Sequence, residues 1–510
     1  MSRRASAIGA GVAGLVSAGV ALGLGELLAG LSSAVPSPLA SVGGFVVDHV
    51  PGALKEFAIS VFGTGDKGAL TVGTVLISLG IGWLAGVVAC RWFIAGASLF
   101  VVFGGLGLVA GLGEPLINGW ATAGAAVAAA GAGIGTLWVL LRMALYWEVA
   151  EGDEVALDPE RRRFLGMAAA AGLVAAGAGA VGRWLIGGVS EPPAADGAVL
   201  SSPVLPRLDP SSSFDVPDLT PIVVPNEEFF RIDTSLSVPE IDADTWSLRV
   251  GGLTDRQLEL SYRDLLDMPL VEDYITLACV SNGVGGDLVG NARWAGVRLS
   301  EILDQAGVQP AGTQVVGRSI DGFTVGFPTE LVFDGREPLV ALGMNGEPLP
   351  REHGYPARLI VPGLFGYVSA TKWLTEIELA GWDDFDAYWV VRRWAKEAPM
   401  KLQSRIDVPG RGRQVEAGTL TVAGVAWAAL QGIGGVEVSL DGGPWTGVDL
   451  STPLSDKSWV QWRGEIEVAA GEHSLEVRAI GGDGEIQTAE RTAAMPDGAT
   501  GHHVQPFNAV

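Results

Sequence analysis

Cysteine is almost absent: a chain of 510 residues has two, Cys90 and Cys279. That excludes a disulfide-stapled scaffold, which needs several cross-links to offset a small core. Histidine is scarce too, with five in all and only His49 among the first 190 residues. That part of the chain therefore cannot provide the paired axial ligands of a bis-histidine haem. Basic charge is also in deficit, with 33 Lys and Arg against 57 Asp and Glu and a formal net charge of -24. With no basic excess to neutralise phosphates, nucleic acid is not an expected partner. What is abundant is glycine, at 73 residues, and apolar side chains, at 48%. The length is enough for about three or four domains.

The acidity is confined to one part. Residues 1–190 hold 10 Lys and Arg and 11 Asp and Glu, a difference of -1, whereas residues 191–510 hold 23 and 46, a difference of -23. Within residues 1–188, five windows carry no formal charge: Ala5–Gly25, Gly68–Cys90, Phe93–Gly113, Pro115–Leu141 and Phe164–Gly182. Each is long enough to cross hydrocarbon as a helix, so the region reads as a transmembrane bundle in contact with membrane lipid. Residues 39–63 read as an interfacial helix, with a sixth crossing as the alternative.

With the N-terminus in the cytoplasm, the inner segments carry Arg3, Arg4, Arg91, Arg142, Arg161, Arg162 and Arg163, and the outer ones only Lys55, Lys67 and Arg183. This bias places residues 191–510 outside the cytoplasm. The run Glu160-Arg161-Arg162-Arg163-Phe164-Leu165-Gly166 resembles a twin-arginine export signal, though three arginines also suit the inner end of a membrane helix. Eight prolines and six serines between residues 187 and 226 favour an extended tether over residues 189–226.

Beyond the tether, Thr245–Val250 alternates as a strand and stops at Gly251-Gly252. Ser261–Leu266 reads as a short capped helix and Tyr274–Cys279 as another strand. Cys279 thus stands where a strand meets the run Ser281-Asn282-Gly283-Val284-Gly285-Gly286, whose glycines permit close approach of a bulky ligand. On residue chemistry alone it could be a buried inert thiol, a nucleophile or a soft metal ligand. His353 is the single histidine between residues 50 and 472.

Several stretches, in this order, carry a more specific signal: Phe229-Phe230-Arg231-Ile232-Asp233, Cys279-Val280-Ser281-Asn282, Gly290–Leu299, Met344–Pro350, His353–Arg358, Pro362-Gly363 and Lys372-Trp373-Leu374. Residues 227–504 resemble the molybdenum-cofactor oxidoreductases of the sulfite oxidase family. The resemblance implies a mixed α+β molybdopterin domain over residues 227–410, with molybdenum held by the dithiolene of one pterin and by the Cys279 thiolate. It further implies that His353 and Arg358 meet the pterin phosphate, that Lys372 lies close to the pterin, and that Asn282, Gly290 and Asn291 occupy cofactor-facing loops.

Two departures bear on the substrate. The family pattern Arg-Asn-His is here Arg231-Ile232-Asp233, which leaves Arg231 for the active face without its usual histidine. Sulfite-oxidising members place a tyrosine five residues after a tryptophan, and that spacing from Trp389 reaches Trp394, which offers only an N–H donor. The implied activity is oxygen-atom or two-electron transfer on a small oxyanion or oxide, with sulfite oxidation proper and an inactive binding or assembly subunit as alternatives.

Strand-like stretches at Thr419–Ala426, Gly435–Leu440 and Ser474–Ala479 make residues 411–504 an immunoglobulin-like β-sandwich, of a kind the family uses in dimerisation, with residues 505–510 as a tail. The segment from Trp459 to Arg463 reads as reaching toward the metal domain, with Arg463 either a substrate-anion contact or a salt-bridge partner. No haem module is expected within the chain, so electrons would pass through an external protein such as a cytochrome.

Overall fold

The computed structural model describes residues 7–32, 34–50, 66–113, 118–144, 159–187, 209–235, 238–428 and 430–510. They fall into two compact units, residues 1–190 with 234–238, and residues 191–233 with 239–510.

The first unit is helical: α1 (Ala7–Leu31), α2 (Pro38–His49), α3 (Asp66–Ala89), α4 (Phe93–Gly111), α5 (Gly119–Ala144) and α6 (Pro159–Gly187). Five of these, all but α2, are long and apolar enough to cross a membrane. With 12 residues, α2 rises about 18 Å, short of the roughly 30 Å of a bilayer core. The rest of the segment expected as interfacial, residues 51–63, lies outside the described residues.

Helix α1 is central and packs against α3, α5 and α6. Small residues allow the approach: Gly14 lies on the backbone of Gly86, Gly23 on the carbonyl of Ala175, and Gly182 on the carbonyl of Glu26. Between apolar helices such contacts supply the dispersion energy that water would otherwise drive. Glu26 is 2% exposed. Its Oε1 accepts from Ser37 Oγ at 2.7 Å and from Leu39 N at 3.1 Å, and Oε2 faces Arg183 Nη1 at 3.5 Å. The carboxylate therefore ties down the start of α2 and is paired where it stands. The arginine run at 161–163 lies in the first turns of α6, ahead of the uncharged stretch Phe164–Gly182.

The second unit opens with ten strands: β1 (Ser247–Gly252), β2 (Leu258–Ser261), β3 (Leu270–Ala278), β4 (Val289–Arg298), β5 (Gln314–Ser319), β6 (Thr324–Pro328), β7 (Leu339–Met344), β8 (Glu347–Pro348), β9 (Arg358–Ile360) and β10 (Leu374–Ala380). One sheet runs β2-β1-β10-β5-β6 and the other β3-β4-β7-β8, with β9 paired to β7. Short helices α7 (Tyr262–Leu266), α8 (Leu299–Ala306) and α9 (Gly366–Ser369) join them. Helix α7 starts on a reciprocal capping box between Ser261 and Asp264, which satisfies two otherwise orphaned N–H groups. Trp294 fills the core at 0% exposure and donates from Nε1 to Ile275 O at 3.1 Å.

Two further sheets form a β-sandwich from β11 (Gln403–Val408), β12 (Gln414–Val415), β13 (Gly418–Trp427), β14 (Ile433–Leu440), β15 (Thr446–Gly447), β16 (Asp449–Leu450), β17 (Val460–Val468), β18 (Gly471–Gly481) and β19 (His503–Ala509). Their orders are β11-β13-β17-β16 and β12-β19-β18-β14-β15. In β18, Leu475, Val477 and Ala479 point inward while Glu476 and Arg478 point away, the period-2 pattern of a strand with one buried face. Asp441 and Gly442 both take positive φ, 52° and 70°, as a tight hairpin turn after β14 requires.

Three boundaries differ from the sequence-based expectation. The sandwich begins at Gln403, because β11 pairs along β13. Residues 505–510 are no tail: β19 pairs with β18 from His503 to Ala509. Residues 209–226, expected as tether, lie along the folded body, because side chains from distant strands satisfy their backbone. Phe214 N donates to Gln461 Oε1 at 2.8 Å, Gln461 Nε2 donates to Thr220 O at 2.7 Å, and Ile222 O accepts from Trp459 Nε1 at 2.8 Å.

Candidate active site

Cys279 follows the last residue of β3, and its N–H donates to Leu288 O at 2.9 Å, closing the loop before β4. Asn282 braces that loop from inside, accepting from Leu288 N at 3.0 Å. The sandwich holds the loop from outside. Arg405 on β11 donates from Nη1 to Gly286 O at 3.1 Å and from Nε to Asp407 at 2.7 Å, while the His503 ring lies against Gly285, whose φ is +78°. The Cys279 sulfur is 2.9 Å from Ser281 Oγ. Burial pushes the thiol up and the Ser281 hydrogen bonds pull it down.

Gly290, one residue into β4, faces Phe229: a Cβ there would stand 2.8 Å from the ring. Phe229 meets Trp294 and His353 edge-on, each at 5.8 Å between centroids. His353 Nε2 donates to Asn226 O at 2.7 Å. Burial holds its imidazole down at about 4, so it is neutral, with Nδ1 left as an acceptor. Arg358, 5% exposed, starts β9 and donates from Nη1 to His353 O at 2.9 Å. Its guanidinium carbon is 4.9 Å from the Trp294 ring centre. Its Nε is buried with no hydrogen-bond partner among the described residues, and burial pulls the group down to about 9.

Gly354, at φ +116°, makes this crowding possible: a Cβ there would come within 3.0 Å of the Lys372 Cβ and 3.1 Å of the Arg358 Cβ. Lys372 Nζ pairs with the Asp233 carboxylate and donates to Glu352 O at 3.0 Å. Arg231 Nη2 reaches the same carboxylate at 3.3 Å. Asp233, read in the sequence only as a missing histidine, thus gathers two of the expected basic residues.

Trp394 packs beside α9. Tyr367, the second residue of α9, has its ring centre 5.9 Å from that of Trp394. Tyr367 donates to Ala395 O at 2.5 Å, and burial pushes its phenol up, keeping it neutral.

Two expected residues do not join the cluster. Asn291 is 0% exposed, and its amide is used within the fold, accepting from Thr276 Oγ1 at 3.2 Å and donating to Ile222 O at 2.8 Å. Arg463 lies on the exposed face of β17 with its guanidinium 4.6 Å over the Phe214 ring. The sandwich does reach the metal domain near Trp459, but through Trp459 N to Thr276 Oγ1 at 2.7 Å and Lys457 Nζ to Asp273 at 2.7 Å. Arg405, Asp407 and His503 were missed. An Arg-x-Asp pair on one strand face, Arg405 and Asp407, was the available signal.

Residues 235–389 match the family described as oxidoreductase molybdopterin binding domain. Human mitochondrial sulfite oxidase is 32% identical over 302 residues, covering 50% of this chain and 55% of that protein. The sulfite oxidase of Arabidopsis thaliana is 27% identical over 43% of this chain and 68% of its own. The sulfane dehydrogenase SoxCD from Paracoccus pantotrophus superposes with a TM-score of 0.50 at 25% identity, over 56% of this chain and 83% of that chain. The chain spans about half the length of the mammalian relatives it matches. The second unit therefore contains a molybdopterin-binding oxidoreductase domain of the sulfite oxidase family. The helical unit precedes the matched residues.

The residues present fit that cofactor. Arg358 offers a buried donor without a hydrogen-bond partner among the described residues, and Cys279 brings a soft sulfur donor. Arg358, His353 and Lys372 would meet the pterin and its phosphate, and Cys279 would ligate the metal.

Proposed function

We propose that the chain is a membrane-anchored, extracytoplasmic molybdenum oxidoreductase acting on a small oxyanion or oxide, with its electrons exchanged through a separate redox protein. The observation that carries this reading is Arg358. A guanidinium buried beside a neutral histidine, with Nε unpaired among the described residues, is costly unless an anion completes it, and the pterin phosphate is that anion.

When bound, the cofactor supplies two-electron redox chemistry with exchange of an oxygen atom. The protein's part is electrostatic and steric. Cys279 contributes its thiolate. Arg231 keeps 46% of its side-chain surface exposed while leaning on Asp233, which suits a cation that attracts an anionic substrate and is oriented from behind. Trp394, at the position where the resemblance implies a tyrosine in sulfite-oxidising members, has an indole that donates a hydrogen bond but cannot accept a proton. Anchoring rests on the five apolar helices and outward placement on the arginine bias of their connections. The mammalian relatives named as sulfite oxidases support sulfite as a second reading; Trp394 and Asp233 weigh against it.

Metal and pterin analysis of protein purified from a molybdopterin-producing host tests the assignment. Wild-type protein is expected to carry close to one molybdenum per chain. Cys279→Ser should keep the fold, measured by circular dichroism, and lose turnover and the sulfur signature in the metal's absorption spectrum. Wild-type protein without molybdenum, or a Cys279→Ser variant with unchanged spectrum and turnover, would overturn it.

A further inference from the structure

Cys279 opens a tight turn. Asn282 N donates to Cys279 O at 3.0 Å, and Cys279 N donates across the loop to Leu288 O at 2.9 Å, so the turn is pinned at its start and its end. Val280, 4% exposed, anchors it in the core. The next residue, Ser281, is exposed, yet its Oγ stands 2.9 Å from the Cys279 sulfur. An exposed serine ordinarily bonds water; here the turn holds its hydroxyl on the thiol.

In a free thiol either atom of that pair could be the donor. A cysteine that ligates a metal has lost its proton, which leaves the Ser281 hydroxyl to donate and the sulfur to accept. The Ser281 backbone N–H bonds the same sulfur, and that second bond does not depend on the side chain. The basic residues of the site are engaged elsewhere, Arg358 with His353 O and Lys372 and Arg231 with Asp233. Hydrogen bonds to a ligating sulfur draw electron density from the metal and are one means by which a protein sets its reduction potential.

We propose that Ser281 is a positioning residue for the redox reaction, whose hydroxyl donates to the Cys279 thiolate, weakens its electron donation to molybdenum and so raises the potential of the metal. The proposal rests on Cys279 as the metal ligand and deepens that reading by naming what adjusts the ligand.

The test compares Ser281→Thr, which keeps the hydroxyl, with Ser281→Val, which puts a methyl in its place so that no water takes over the bond. Both are β-branched, so any strain in the turn is common to them. Full-length protein from a molybdopterin-producing host is analysed for molybdenum and then titrated electrochemically, with the Mo(V) paramagnetic signal as the readout. Ser281→Thr is expected to match wild type. Ser281→Val should stay loaded and favour the oxidised metal about tenfold more at a fixed potential, a negative shift of about 59 mV for a one-electron couple. Its sulfur-to-metal charge-transfer band should also move to longer wavelength, because a thiolate relieved of a hydrogen bond gives up its electron more easily. A merely structural role would alter metal content or melting point and leave the potential and band of the loaded fraction in place. Wild-type protein without molybdenum overturns the metal-ligand reading and this proposal with it. Loaded protein in which Ser281→Thr and Ser281→Val share one potential and one band, or Ser281→Val that carries no metal, overturns this proposal alone.

Discussion

Replacing Arg358 with methionine should move two properties in opposite directions. Burial pulls the guanidinium down from its ordinary value to about 9, which at about 1.4 kcal/mol per pKa unit disfavours the charged form by roughly 5 kcal/mol. Against this stand a charge-assisted bond to His353 O at 2.9 Å, worth about 1.5–3 kcal/mol, and the Trp294 face at 4.9 Å, worth about 1–2 kcal/mol when desolvated. A deficit of roughly 1 kcal/mol is left for the cofactor-free protein. Methionine is unbranched and fills the same space without that desolvation. Arg358→Met made in a host that lacks the cofactor should therefore melt about 2–4 °C higher than wild type. Made in a producing host, it should lose most of its molybdenum, because removing one partner of a buried ion pair costs about 3–5 kcal/mol, or a factor of several hundred in affinity. Differential scanning fluorimetry on the first preparation and metal analysis on the second read the two effects. A cofactor-free melting point more than about 4 °C below wild type, together with full metal content, would mean that Arg358 holds the fold and not an anion.

The sequence revealed elements whose signal is local. The five apolar windows stand out because no charge interrupts them, and β13, β14 and β18 because they alternate. The Cys279 position follows from a strand run ending in a glycine-rich turn. What stayed hidden depends on partners far along the chain. In β19 the buried face is Gln505, Phe507 and Ala509. Its first member is polar, masking the alternation, and is accommodated only because Gln505 Nε2 donates to Pro409 O at 3.2 Å. The proline-rich segment at 209–226 has the composition of a solvated tether but is fixed by Gln461, Trp459 and Asn291, none of which its own sequence indicates. Arg463 and Arg405 look equivalent as arginines on sandwich strands. Strand pleat puts the first on an exposed face, while Arg405 reaches the loop after Cys279.

Gly285→Ala combines a left-handed backbone, φ +78°, with a Cβ driven into the His503 ring. It should lower stability by about 1–3 kcal/mol and reduce molybdenum content by displacing the Cys279 loop, as thermal melts and metal analysis would show; wild-type values in both would refute the loop-clamp role. His503 accepts from Ile406 N through Nδ1 at 3.0 Å, and burial, with Arg405, Arg491 and Arg411 also nearby, holds it at about 4 against 6.5, with Asp407 opposing. A base depressed on folding contributes stability that is present above its unfolded pKa and lost as pH falls toward the folded one. The melting point should therefore drop between pH 6.5 and 4, and His503→Asn, which keeps an acceptor but cannot titrate, should flatten that limb; parallel curves would refute the assignment. The last expectation concerns substrate choice. Trp394 stands where a tyrosine would offer an oxygen able to accept as well as donate, and Asp233 places a carboxylate beside Arg231, offsetting part of the charge that would draw in a dianion such as sulfite. Fully loaded wild-type enzyme should therefore show weak sulfite turnover with an artificial electron acceptor when kcat/KM is measured beside sulfoxides, N-oxides and nitrate. Asp233→Asn should raise sulfite kcat/KM mainly through KM, because it removes repulsion without altering the metal's thiolate. A preference of about tenfold or more for sulfite in the wild type, roughly 1.4 kcal/mol of differential transition-state binding, would sink this reasoning and make sulfite the substrate despite both departures.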